Sequence, residues 1–219
     1  MTDFTSRMVR LMEAVRRERN GEVAATMRCY GTACGLNFGV SLPTLRAIAR
    51  AERPDHDFAR YLYLQDVREL RLAALHIARP ERVAEEEFAA WAAGIVNSEI
   101  AEEAAFALLG RIACFDALYE QWTSGDDMLL QYAALMAAAR RKPPQEAHVR
   151  RALELLGRNA GPMDRPAPHL TAHGTVALLV AYGALNAENR RTVLRATGSP
   201  GTSPAEDYVH EEVAWMLEA

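Results

Sequence analysis

Apolar residues recur at helical spacing along nearly the whole chain, and breaks at short intervals divide the pattern into paired segments. In VRLMEAVRR the positions are Val9, Leu11, Met12 and Val15; from Ser41 to Ala51 they are Leu42, Leu45, Ile48 and Ala49. Runs of β-branched residues, which mark strands, are almost absent. The segments Asp57–Ala78, Ala84–Ala113 and Phe115–Arg141 each read as a shorter helix, a tight joint and a longer Ala- and Leu-rich helix. They follow one another at steps of roughly 30 residues. Small side chains let such helices approach closely. Regular helix pairs without strands predict an all-α fold, a curved α-solenoid (α-α superhelix) in one domain over 1–219. An irregular helical bundle is the alternative reading.

The same pattern places helices over Gly21–Cys29, from Asp66 to the stop at Pro80, over AEEEFAAWAAGIV and SEIAEEAAFALLGRIA, and over Asp126–Arg141. Asn97-Ser98 forms a capping joint between two of them, and Pro143-Pro144 opens a further helix that ends near Gly157. GRNAGPMDRPAPHL, 157–170, reads as a long surface loop because it holds three prolines and two glycines. ATGSPGTSPAED is turn-rich and precedes a last helix opened by Ser203 or Asp207.

Half the residues are hydrophobic but only 7 % are aromatic, which suits closely packed helices and argues against global disorder. A formal charge of −4 does not by itself favour a nucleic-acid ligand. Cys29, Cys34 and Cys114 are an odd number without CxxC spacing, so reduced thiols are the expectation. The N-terminus lacks the pattern of a signal peptide, and no apolar stretch approaches the ~20 residues of a membrane span. A cytoplasmic protein with no membrane partner is expected. His169 and His173 lie at i, i+4 but straddle the expected loop and helix, with no third ligand, so no metal is called for. Trp91, Trp122 and Trp215 sit at helical positions suited to packing.

GLNFGVSLPTLRAIAR, residues 35–50, joins a glycine-punctuated loop to a helix start, a natural place for an anion. It matches no nucleotide fingerprint, having neither a preceding strand nor a lysine. Ser41 as N-cap and Pro43 in the first turn are ordinary helix-start chemistry, so a structural joint is the reading. This stretch, followed by VRELRLAALHIA, IVNSEIAEEAAFALLGRI and YEQWTSGDDMLLQYAALMAAAR, resembles the bacterial DNA alkylation repair family over roughly residues 20–141. Those proteins are HEAT-like helical-repeat alkylpurine DNA glycosylases, and the resemblance implies HEAT-like repeats here.

It also implies a chemistry. An N-alkylated purine is a cationic leaving group, so the enzyme stabilises an oxocarbenium-like sugar and positions water. The family does this from concave helices, with a Trp and, four residues on, an Asp after an Asn-Ser-like joint, an Arg pair on the next long helix, and a C-terminal Trp. Here Glu99 stands at the tryptophan position and Glu103 at the aspartate position, while Gln131-Tyr132 replaces the arginine pair. The C-terminal stretch has no clear match in TAHGTVALLVAYGAL.

Charge points the same way. Residues 81–120 hold nine acids against Arg82 and Arg111, a balance of −7, and Glu99 and Glu103 share a helical face that reads as a solvated acidic surface. A basic cluster, Arg140, Arg141, Lys142, Arg150, Arg151 and Arg158 against Glu146 and Glu154, gives +4 over 140–158. Two smaller ones are Arg16, Arg17 and Arg19, and Arg190 with Arg191.

The expectation is a diverged, non-catalytic relative of these glycosylases that binds DNA or a protein partner through its concave face without a cofactor. Arg140, Arg141, Lys142, Arg150, Arg151, Gln131 and Tyr132 are its candidate contacts. The alternative is an active glycosylase with Glu103 as catalytic carboxylate, Glu99 as a second catalytic candidate, and Tyr132 or Trp91 as the aromatic.

Overall fold

The computed structural model describes residues 3–29, 35–199 and 201–218; Cys34 lies outside them. Among these residues there are thirteen α-helices and no strand, only an isolated bridge between Leu36 and Val67. The chain divides into two compact units, Met1–Leu108 and Leu109–Ala219. None of the described helices is long and apolar enough to cross a membrane.

The first unit contains α1 (Phe4–Arg17), α2 (Gly21–Cys29), α3 (Leu42–Ala51), α4 (His56–Tyr63), α5 (Arg68–Ile77), α6 (Phe88–Ala93) and α7 (Ser98–Ala107). Its centre is α5, which packs against α3, α4 and α7 and buries Leu70, Leu72, Ala73, Ala74, Leu75 and Ile77. Each buried leucine stabilises by about 1.5–3 kcal/mol relative to exposure. The helix starts follow local chemistry: Ser41, Asp55 and Asn97 each accept a backbone N–H at the start of α3, α4 and α7.

The second unit contains α8 (Phe115–Ser124), α9 (Met128–Arg140), α10 (Glu146–Arg158), α11 (Pro166–Gly183), α12 (Ala187–Ala196) and α13 (Pro204–Glu218). Here α11 is central, packing against α9, α10, α12 and α13. Fully buried Ala133, Ala134, Ala137 and Ala138 on α9, and Gly174 on α11, allow the close approach. A Cβ at Gly174 would sit 2.8 Å from the Cβ of Leu135.

The expected helix pairs are present as α4/α5, α6/α7 and α8/α9, with several corrections at their ends. The helix expected to run to Ala113 stops at Ala107, and a 3-10 turn over Leu109–Arg111 follows; Gly110 is a weak helix former there. Another 3-10 turn, Glu85–Glu87, precedes α6. The long loop expected over 157–170 shrinks to 159–165, because Pro166 and Pro168 occupy the first turn of α11, where no N–H is needed. His169 and His173 therefore both lie within α11, ring centroids 4.3 Å apart. Trp91 and Trp122 are buried as expected, but Trp215 is 69 % exposed. Helix α12, capped by Asn186, has no counterpart in the sequence reading; Val193 is its one buried residue, too little to mark an apolar stripe.

Candidate nucleic-acid interface

The joint before α3 is held from inside. Leu36 donates to the Asp66 carbonyl at 2.9 Å and accepts from the Arg68 amide at 2.9 Å. The amides of Phe38 and Val40 donate to the Glu69 carboxylate at 3.1 and 3.3 Å. Gly39 has φ +71°, and a Cβ there would lie 2.2 Å from the Asn20 carbonyl oxygen, so only glycine fits the approach to α2. The Phe38 and Val40 amides are thus taken by Glu69, which is fully buried, and the Gly39 amide between them donates to Asn37 Oδ1 at 2.7 Å, so none of the three is open to an external anion. The segment is a structural joint.

Glu69 belongs to the first of two charged clusters, one joining α5 to α7 and the other joining α3, α5 and α7. Arg68, 1 % exposed, donates to Glu69 at 3.0 Å, to the Val40 carbonyl at 3.0 Å, and through Nε to Glu99 at 2.6 Å. Its Nη2 also pairs with Glu99. Burial alone would lower the pKa of Arg68; the bonds and charges of Glu99 and Glu69 outweigh it and raise it. One turn along α7, Glu103 is 3 % exposed. Arg46 on α3 binds it with Nε at 2.8 Å and Nη2 at 2.6 Å, a two-bond fork. His76 on α5 meets the same carboxylate through Nε2. Burial would raise the Glu103 carboxyl, but the bonds and charges of Arg46 and His76 dominate and hold it down at about 2.

This corrects the expected solvated acidic face. Glu99 and Glu103 do share a face, but three cationic or hydrogen-bonding partners from α3 and α5 cover it, so it is not an open field of negative charge. A cleft of 410 Å³ borders the Arg68–Glu99 pair, with Ser41, Thr44, Val23 and Met27 among its lining residues. The sequence reading missed Arg46, Arg68, Glu69 and His76. Their one local signal is charge placed inside an otherwise apolar helical pattern, as in VRELRLAALHIA.

In the second unit the basic cluster separates into two kinds of residue. Arg141 donates to the Ile112 carbonyl at 3.3 Å and lies over the Phe115 ring at 4.7 Å. Arg151 binds Thr123 and Ser124, and Arg158 binds the carbonyls of Thr123 and Gly125. These three arginines tie α9 and α10 to the two ends of α8. Arg140, Lys142 and Arg150 are exposed, and Arg150 has a loose 3.9 Å contact with Glu146. Gln131 and Tyr132 are interior, 2 and 6 % exposed. Gln131 bonds the Gly125 carbonyl and the Asn159 side-chain amide, so neither side chain offers contact surface. Trp91 is likewise interior, its ring 4.8 Å from that of Tyr63.

Paired helices around apolar, alanine-rich centres define a helical-repeat protein. A solved structure described as "a new family of proteins related to the HEAT-like repeat DNA glycosylases with affinity for branched DNA structures" superposes with a TM-score of 0.73 at 15 % identity, over 98 % of this chain and 95 % of that one. The fold is therefore of the HEAT-like repeat type. The family model described as "DNA alkylation repair enzyme" matches residues 11–165, and the chain belongs to that family. No curated protein sequence matches it.

Proposed function

We propose that this chain is a non-excising member of the DNA alkylation repair family that binds DNA, with branched DNA as its preferred form. The observation that carries the reading is the commitment of Glu103. A carboxylate that serves an oxocarbenium-like sugar has to face the DNA and orient water. Glu103 is instead buried, with Arg46 forked onto both its oxygens and His76 on one of them. Glu99, where the family has its tryptophan, is tied to Arg68.

The relative with affinity for branched DNA supports the choice of ligand, since the two chains share a fold over nearly their whole lengths. The exposed cations Arg140, Lys142 and Arg150 are the proposed phosphate contacts of the second unit; Arg141 and Arg151 contribute by holding the helices that carry them.

Fluorescence anisotropy with a four-way junction and a linear duplex of equal length tests this. Tighter binding of the junction, weakening steeply with salt, is expected. Equal affinity for both, or no binding at low salt, would overturn it. The second reading, an active glycosylase using Glu103, draws on the one observation that this carboxylate is held ionised, at about 2.

A further inference from the structure

The joint between α3 and α4 forms one wall of a second cleft of the first unit, 550 Å³ in volume. Pro54 follows the end of α3, and Asp55 then caps α4 by accepting from the Phe58 amide at 3.1 Å. Asp55 also donates its own amide to the Ile77 carbonyl at 3.0 Å, which brings the end of α5 and the turn Pro80–Arg82 alongside. Three stretches far apart in sequence thus supply arginines to one cleft: Arg7 from α1, Arg53 from the joint, and Arg79 and Arg82 from the end of α5 and its turn.

The four arginines are not equally committed. Arg7 is locked, bound to Asp55 at 2.6 Å and to Glu52 at 3.2 Å, with its guanidinium carbon 3.9 Å from the Phe58 ring centroid. Arg53 is exposed and has no hydrogen bond or ion pair among the described residues. Arg79 pairs with Glu81 at 2.7 Å and Arg82 with Asp57 at 3.5 Å, but all four of these side chains are about half-exposed. Such surface pairs contribute little in water, so a better acceptor can displace them. His56 lines the same cleft and is buried. Its Nε2 meets Glu87 at 2.9 Å, while its Nδ1 is buried with no hydrogen-bond partner, an unusual state for an interior polar atom.

We propose that this cleft binds a phosphate group, with Arg53, Arg79 and Arg82 as its cations. Guanidinium forks suit the several oxygens and the charge of a phosphate. The lining carboxylates Glu52 and Asp55 are already neutralised by Arg7, and a cleft of this volume admits a phosphate together with the group it is attached to. Two sources share that chemistry, the DNA backbone and a free phosphate ester. The cleft holds a phosphate whether or not the chain binds DNA.

Inorganic pyrophosphate titrated into the full chain at low ionic strength, followed by calorimetry, tests this. The wild type is expected to bind it, and the double variant Arg53→Ala/Arg82→Ala to bind it at least about 10-fold more weakly. Glu81→Gln, which frees Arg79 from its surface partner, is expected to tighten binding by about 3-fold, a gain that misfolding does not produce. Anisotropy with the four-way junction separates the sources. A salt slope lowered by about 1 in the double variant assigns the phosphate to DNA, whereas an unchanged slope and affinity assign it to a free ester, and both results keep the site. No pyrophosphate binding by the wild type, or binding unaltered in the double variant, would overturn the site. A wild type that binds pyrophosphate but not the junction would overturn the DNA-binding reading alone.

Discussion

Replacing Glu103 by glutamine removes the charge at the centre of the α3–α5–α7 network while keeping its shape. The carboxyl is held at about 2 against an ordinary 4.5, a difference that bounds the effect at about 3.5 kcal/mol at neutral pH. The Arg46 side of the pair is 30 % exposed, and solvent screening there brings the expectation to about 2 kcal/mol. For a chain of this size that is a melting shift of about 4–8 °C.

The sign follows from the direction of the shift. The folded pKa is depressed, so the stabilisation is complete above 4.5 and is lost as pH falls towards about 2. The deficit of Glu103→Gln relative to wild type is therefore largest at pH 7 and falls below about 1 kcal/mol near pH 3. Thermal melts of both proteins at the two pH values measure it. Equal melting temperatures at pH 7, or a deficit that does not shrink at pH 3, would refute a buried ionised carboxylate.

Other substitutions probe the scaffold. Gly39→Ala is expected to cost about 2 kcal/mol, since φ is positive and the new Cβ meets the backbone of Asn20 and Ala24; a urea midpoint checks it. Gly174→Ala is expected to cost about 1–3 kcal/mol by overpacking against Leu135, read from the same urea titration. Gly157→Ala, with nothing within 4 Å on helix α10, is expected to stabilise by about 0.5 kcal/mol and to raise that midpoint. Burial lowers the His148 pKa from 6.5, only partly opposed by Asp116. Its stabilising contribution is present above 6.5 and lost as pH falls, and His148→Phe should flatten that part of a stability-against-pH curve.

Much of the fold was legible because helix pairing is written locally. The apolar spacing of α3 and α5, the caps Ser41 and Asn97, and the stop at Pro80 are all short-range signals. Helix α12 was not, since a mostly solvated helix carries no apolar stripe. Nor was the start of α11, where prolines that usually mark a loop sit at positions that tolerate them. At the candidate interface, the shared face of Glu99 and Glu103 followed from i, i+4 spacing. What covers that face did not: Arg46 lies 57 residues from Glu103 and Arg68 lies 31 from Glu99. No local spacing links residues that meet only when α3, α5 and α7 pack.

In the proposed function Glu103 serves structure and not excision. Release of alkylated purines from methylated duplex DNA, followed as abasic-site formation by wild type and by Glu103→Gln, tests it most directly. Neither protein is expected to release bases above the uncatalysed rate, while the wild type still binds the four-way junction. Base release by the wild type that disappears in Glu103→Gln would contradict it.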